Sequence, residues 1–177
     1  MLDPFLDGIT RLPAATDTHV SGELVDANGH MSLPHYVTAG VRSVWNRALP
    51  LGLAEARADG LSLFVSEQHS RFLGEMLLGE RYTVHALFLD RSNRALHTLA
   101  YIVDRSRQRL ACRIESVHIL VSMQTRRSLA FPSSFATQLD RAIHEDRNHV
   151  DDSTLCSGLW RTPAPEPSAA PRDGLHI

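Results

Sequence analysis

The chain has 177 residues, of which 43% are hydrophobic and 21% are charged, so its overall composition supports a buried core and is not that of a disordered chain. The formal net charge of −2 and the pI of about 6.5 argue against nucleic acid as the main partner, since such proteins usually carry a basic face. No apolar run approaches the ~20 residues that span a bilayer, and the first residues do not look like a signal peptide. The two cysteines, Cys112 and Cys156, form no CxxC pair. We therefore expect a cytoplasmic protein with no membrane partner, no disulfide framework and no structural zinc site.

The sequence divides into an expected domain at 1–150 and a Pro-rich tail at 151–177. The first expected element is a short strand from about Thr18 to Leu24, followed by a polar loop at 25–31. A helix comes next, with Ser32 as its N-cap and Pro34 in its first turn, and it ends at Pro50 and Gly52. Apolar residues at steps of three and four predict one buried stripe on this helix: Val37, Val41, Val44, Trp45, Ala48 and Leu49. We expect the tail to be mobile, because its four closely spaced prolines, at 163, 165, 167 and 171, prevent regular structure.

The rest of the domain reads as an antiparallel meander. Strands are expected at 61–73, 81–89, 95–103 and 110–123, with polar turns at 90–94 and 104–109 and a short amphipathic helix from Ser134 to Glu145. The fold class is therefore α+β, with a curled antiparallel sheet wrapped around one long helix. Because such a sheet leaves an edge and an outer face open, we expect at least a homodimer.

The densest polar constellation is the loop before the long helix. Asp26, Asn28 and His30 alternate along it, so their side chains can point the same way, and Gly29 permits a positive φ. The amino end of the helix aims free N–H groups at the same place, which favours developing negative charge. This set suits attack on an acyl carbonyl, with Asp26 as general base or nucleophile and Asn28 and His30 orienting water or substrate. The alternative is that these residues are ordinary turn and capping residues.

Two stretches resemble a known family. The segment from Asp26 to Tyr36, DANGHMSLPHY, looks like the D-x-N-G-H-[VM]-N-x-x-x-Y signature of hot-dog-fold acyl thioesterases. The segment EQHSRFL at 67–73, followed by Gly79 and Glu80, is similar to the E-x-H-x-R-[FY]-L…G-[DE] strand and turn of the same superfamily. The resemblance covers about residues 18–125 and is closest in type to the betainyl-CoA thioesterases, while 4-hydroxybenzoyl-CoA and plant acyl-carrier-protein thioesterases share the loop.

The resemblance implies roles for single residues. The catalytic aspartate falls on Asp26, the asparagine and histidine of the plant-type pattern fall on Asn28 and His30, and the backbone N–H donors to the oxyanion fall at 31–33, that is Met31, Ser32 and Leu33. Ser32 and Leu33 stand where the plant-type pattern has two asparagines. The resemblance further implies an active site at a subunit interface, in a homodimer or homotetramer. It implies acyl-CoA as substrate and no metal or redox cofactor.

The remaining candidates are residues that would contact the substrate. Glu67 and His69 lie two apart on a strand with Arg71 after them, and they either reach the partner's loop or form an ion pair on the outer sheet face. Candidate acyl-pocket residues are Tyr36, Phe64, Phe72 and Trp45, of which Trp45 is better explained as core. Arginines in the two turns, at 91, 94, 105, 107 and 109, either meet CoA phosphates or form a solvated edge. His85, His97 and His118 lie on successive strands, and a metal site there is less favoured than cross-strand or solvent-facing roles.

Three functions follow from these patterns. The first is hydrolysis of the thioester of a small or medium acyl-CoA by an Asp-assisted attack, with a betainyl-CoA-like substrate as one case. The second is a hot-dog scaffold that binds acyl-CoA without hydrolysing it. The third is an enoyl-CoA hydratase or dehydratase on the same fold, which requires a histidine paired with a carboxylate, such as His30 or His69 with Glu67.

Overall fold

The computed structural model describes residues 4–149 and residue 155. The strands are β1 (Thr16–His19), β2 (Leu61–Phe72), β3 (Arg81–Arg91), β4 (Ala95–Asp104) and β5 (Arg109–Ser122). The helices are α1 (Pro4–Thr10), α2 (Leu33–Ala48), α3 (Leu53–Ala58) and α4 (Ser133–Asp146), with short 3₁₀ turns at Gly22–Leu24, Leu49–Leu51 and Arg147–His149. The predicted tail at 151–177 lies outside the described residues except for Leu155.

The five strands form one antiparallel sheet in the order β1-β3-β4-β5-β2. Register shifts between Val65 and Glu67, Phe88 and Asp90, and Ile102 and Val103 bend the strands. The long helix α2 lies across one face and buries two apolar clusters there, one centred on Phe88 and Leu120 and one on Tyr36 and Ile114. The predicted α+β class and the curled sheet around one helix are confirmed.

The helix α2 begins where the sequence predicts and ends at Ala48, with the 3₁₀ turn Leu49–Leu51 before Gly52, but its buried face differs from the predicted stripe. The face against the sheet consists of Tyr36, Gly40, Ser43, Val44 and Ala48. The predicted stripe residues Val37, Val41 and Trp45 are only half-buried and flank it. The reason is a close approach, since a Cβ at Gly40 would lie 2.7 Å from Ile114 Cδ1. A small residue therefore marks the contact line, which a search for large apolar residues does not find.

The opposite face of the sheet is covered by an element that the sequence did not predict. Leu6 and Ile9 of α1 pack on Leu87, Leu99 and Val103, and the Phe5 ring meets Tyr101 edge-on with centroids 5.6 Å apart. The helix α3 was also missed, and the first strand is shorter than expected because 22–24 form a 3₁₀ turn. The segment of α1 has seven residues, too short for its periodicity to stand out.

On the outer edge of β3, beyond β1, side chains form hydrogen bonds with the backbone groups of the strand. The four-residue β1 pairs with Arg81–Val84, and among the described residues no strand pairs with the rest of that edge. There Arg47 donates to Ala86 O at 2.6 Å, and the Asp146 carboxylate accepts the Phe88 N–H at 2.7 Å. The two side chains also pair with each other, with Arg47 Nη2 2.7 Å from Asp146 Oδ1. This ion pair fastens α2 and α4 to the sheet.

Candidate functional site

The loop before α2 is a tight turn built on Asp26. Its N–H donates to His30 O at 3.1 Å, and its carbonyl accepts the Gly29 N–H at 3.0 Å. Its carboxylate oxygen Oδ1 accepts the Asn28 N–H at 2.8 Å, which fixes the direction of an exposed carboxylate. Gly29 has a φ of +81°, as the turn requires. The capping role that the sequence left open is therefore real, and it orients Asp26.

The other two polar residues of the loop differ in their surroundings. Asn28 is exposed, and only its backbone is engaged in the turn. His30 is half-buried, and its Nδ1 lies 3.1 Å from Met31 O. Because a carbonyl only accepts, Nδ1 carries the proton and Nε2 is left as the acceptor of the neutral ring. His30 is thus the loop side chain with a fixed tautomer.

The backbone N–H groups at the amino end of α2 are not equally available. The Met31 N–H donates to Met76 O at 2.8 Å, and the Ser32 N–H donates to Leu24 O at 2.9 Å. Leu33 occupies the first helical position, where the N–H has no intrahelical acceptor, and Pro34 after it has no N–H. The sequence predicted oxyanion donors at all three positions, and the geometry leaves Leu33 as the candidate. Ser32 is the N-cap as predicted, but its side chain makes no capping hydrogen bond.

An apolar groove of about 390 Å³ lies beside this helix end. It is lined by His30, Met31, Leu33, Tyr36, Phe72, Leu73, Gly74 and Glu75. The rings of Tyr36 and Phe72 meet edge-on with centroids 5.4 Å apart, and burial raises the pKa of Tyr36 to about 12. Leu33, Phe72 and Leu73 are 59%, 45% and 50% exposed, so the groove presents apolar surface that the described residues do not cover.

The predicted substrate-contacting residues divide between the two faces of the sheet. Phe72 lies opposite Cys112, which packs with Tyr36 under α2, so Phe72 faces the groove. The other four pair with β5 residues whose side chains lie on the face of the sheet away from α2. The pairs are Phe64 with Ile119, Glu67 with Val117, His69 with Glu115 and Arg71 with Arg113. They project away from α2 and do not enter the groove of their own chain. The predicted approach of Glu67 to the loop of a second subunit stays a prediction.

The three strand histidines do not converge. His118 lies on the face under α2, opposite Leu96, whereas His85 and His97 lie on the other face. All three are buried, so the solvent-facing alternative is wrong. His97 pairs with the buried Glu115 at 2.8 Å, and burial lowers the pKa of His118 to about 4. Within 4–149 and 155, no three His, Cys, Asp or Glu side chains are placed to hold a metal ion.

The turn arginines are mostly engaged by acidic partners. Arg91 pairs with Asp140 at 2.6 Å, Arg107 with Glu80 at 2.7 Å, and Arg109 with the buried Asp104 at 3.2 Å.

The groove wall at 73–75 was not predicted from the sequence. The signal for that wall is the Gly74 that directly follows the aromatic end of β2, because a glycine at a strand end often marks close backbone approach.

The strand order and the single helix across a curled sheet define the hot-dog fold, with a polar loop at the amino end of the helix. A model of the thioesterase-like superfamily matches residues 20–139, and the chain belongs to this superfamily. None of the described helices has the length and apolar character to cross a membrane.

Individual proteins are similar to this chain in sequence or in fold. The chain is 28% identical over 139 residues to the L-carnitine dehydrogenase/betainyl-CoA thioesterase of Agrobacterium fabrum, covering 77% of this chain but 28% of that protein. A hypothetical protein of Staphylococcus aureus, solved in complex with CoA, is 26% identical with a TM-score of 0.67, over 88% of this chain and 94% of the other. A 1,4-dihydroxy-2-naphthoyl-CoA thioesterase from Synechocystis shares the fold at 15% identity and a TM-score of 0.61, over 71% and 93%.

Proposed function

We propose that this chain hydrolyses the thioester of an acyl-CoA, with Asp26 as the catalytic carboxylate. The observation that supports this most directly is that the Asp26 turn adjoins the apolar groove. His30, which closes the Asp26 turn, lines the apolar groove together with Met31, so an acyl group in the groove would bring its carbonyl to the amino end of α2. Superfamily membership and the CoA complex of a relative support the same reaction class.

The reaction needs a base, an oxyanion donor and a leaving thiol. As general base, Asp26 takes a proton from water, and the hydroxide adds to the carbonyl carbon. The oxyanion accepts the Leu33 N–H, which the positive end of α2 reinforces. The carbon–sulfur bond then breaks, the CoA sulfur leaves with a proton, and the acyl group leaves as the free acid. As nucleophile, Asp26 would instead form a mixed anhydride that water then hydrolyses.

We propose that two copies of the chain complete the site. Within the described residues, β2 pairs along one edge with β5 and has no strand on its other edge. Val65 and Phe72 on this strand are 40% and 45% exposed. A second copy paired along β2 would cover this surface, so we expect at least a homodimer by light scattering.

The acyl group that we propose is compact, with betainyl as one member of the class. Two observations support a compact group: the groove has a volume of about 390 Å³, and its wall includes the Tyr36–Phe72 pair, whose aromatic faces attract a quaternary ammonium. The Agrobacterium relative is named for this substrate, and the chain corresponds to part of it.

A second candidate is an acyl-CoA-binding protein that does not hydrolyse the thioester. The engaged N–H groups of Met31 and Ser32 favour it, because they leave fewer donors for an oxyanion. The dehydratase alternative has less support, since it requires a histidine paired with a carboxylate and the strand pair Glu67 and His69 lies on the face of the sheet away from the groove.

The test is thiol release from a panel of acyl-CoAs that includes short, aromatic and trimethylammonium acyl groups. We expect release from at least one compact acyl-CoA, unchanged by EDTA because the proposed chemistry uses no metal. Tight binding of acyl-CoA without release would favour the binding protein, and hydration of an enoyl-CoA would favour the third alternative.

A further inference from the structure

We propose that Arg109, held by the buried carboxylate of Asp104, is a positioning residue that sets the width of the apolar groove. It acts on the groove wall from behind and does not touch the acyl group. The inference rests on the proposed function, because it assigns to Arg109 part of the selection among acyl groups.

Arg109 links the turn between β4 and β5 to the groove wall. Its Nε donates to Asp104 Oδ2 at 3.2 Å, and its Nη2 donates to Glu75 O. Asp104 has a fully buried side chain, and its Oδ1 accepts the N–H groups of Ser106 and Arg107 at 3.1 and 3.0 Å. The carboxylate is thus fixed by the turn, and it fixes the guanidinium in its place.

The wall itself is backbone, and Gly74 is its closest point to Arg109. A Cβ at Gly74 would lie 2.8 Å from Arg109 Cζ, so the guanidinium occupies the space where a side chain would stand. On the groove side, Gly74 O accepts the Tyr36 hydroxyl at 3.4 Å. A shift of this wall therefore moves the aromatic side of the groove with it.

The wall is tied to the catalytic loop as well. The N–H groups of Leu73 and Gly74 both donate to Ala111 O, at 2.8 and 3.1 Å, and Met76 O accepts the Met31 N–H at 2.8 Å. The segment 73–76 therefore spans from β5 to the start of α2, with Arg109 anchored at its middle. These contacts assign Arg109 to the protein's own backbone rather than to a phosphate of CoA.

The first experiment compares Arg109→Gln with Arg109→Lys and with the matched control Arg105→Gln, which removes the same charge from an exposed position of the same turn. We measure kcat and KM over the acyl panel, inhibition by free CoA, and the affinity of non-hydrolysable S-alkyl-CoA thioethers. Arg109→Gln should change the ratio of kcat/KM between the smallest and largest accepted acyl groups by about tenfold or more, because misplacement of a positioning wall by about 1 Å is costly. Arg109→Lys should restore part of the ratio, and Arg105→Gln should leave it unchanged.

A second comparison keeps the inference testable if Arg109→Gln unfolds the protein. Gly74→Ala should change the acyl ratio in the wild-type background and have a smaller effect in the Arg109→Lys background, since the displaced atom is the guanidinium carbon. Equal effects in both backgrounds, or a uniform loss over all acyl groups, would overturn the inference. A raised inhibition constant for free CoA with an unchanged acyl ratio would assign Arg109 to CoA instead. If the wild type releases no thiol from any substrate, the proposed function fails, while the thioether affinities still decide the role of Arg109.

Discussion

Replacing Asp26 by asparagine separates its chemical role from its structural one. The amide retains Oδ1, so it can still accept the Asn28 N–H that holds the turn at 2.8 Å. It cannot take a proton from water or attack a carbonyl. General base catalysis contributes about 10²- to 10⁴-fold in rate. We therefore expect kcat to fall by about that factor, which corresponds to roughly 3–5 kcal/mol of transition-state stabilisation. The free energy of unfolding should change by less than about 0.5 kcal/mol, since Asp26 is exposed.

The matched control is Asp26→Ala, which removes the acceptor of the turn as well as the base. It should lose the same factor in kcat and, in addition, about 1 kcal/mol of stability for the lost hydrogen bond. Thiol release at saturating acyl-CoA gives kcat, inhibition by free CoA reports whether the binding site is intact, and urea unfolding gives stability. Retention of more than about a tenth of kcat by Asp26→Asn would refute the role of Asp26 as base or nucleophile. A loss of kcat accompanied by an equal loss of CoA inhibition would assign the effect to the loop.

The remaining predictions concern stability and thiol access. Burial lowers the pKa of His118 to about 4, so on acidification the unfolded chain takes up a proton at this histidine before the folded chain does. Between pH 6.5 and 4, the free energy of unfolding of the wild type, measured with urea, should fall by up to about 3 kcal/mol relative to that of His118→Leu. Parallel pH profiles of the two proteins would contradict this. Arg47→Met leaves the buried Asp146 without its cation and should cost about 3–5 kcal/mol, whereas a cost under about 1 kcal/mol would show that water replaces it. Burial raises the pKa of Cys112 to about 12, so in a Cys156→Ser variant a thiol reagent should react only after denaturation.

The strands and the long helix were predictable because their signals are local. Alternation along 81–89 and the polar turns at 90–94 and 104–109 set the meander, and the bounds of β3, β4 and β5 differ from the prediction by two residues or fewer. The buried face of α2 was not predictable in the same way. It depends on the contact of Gly40 with Ile114, a residue 74 positions away in a strand whose place under the helix only the fold decides.

The loop chemistry of the site was visible in the sequence, while its surroundings were not. Asp26, Asn28 and His30 share one turn before α2, of which only His30 lines the groove, together with the predicted Tyr36 and Phe72. Phe64, predicted to line the acyl pocket, lies on the other face of the sheet with Glu67, His69 and Arg71, whose predicted approach to a second subunit stays a prediction. A strand pattern shows that residues two apart share a face, but not which face meets the helix, and here the pairing of β2 with β5 decides it.

The number of catalytic groups at the site limits how much of the rate enhancement one chain can supply. A general base contributes about 10²- to 10⁴-fold, and one oxyanion donor contributes about 10²- to 10³-fold. Asp26 with the Leu33 N–H would therefore give about 10⁴- to 10⁷-fold, near the lower end of enzymatic rate enhancements. The rest would come from holding the acyl carbonyl against the helix end, and we expect the exposed apolar groove of a single chain to hold it weakly. Kcat/KM should accordingly fall on dilution below the dissociation constant of the proposed dimer, and a rate per chain that stays constant on dilution to monomer would show that one chain is sufficient.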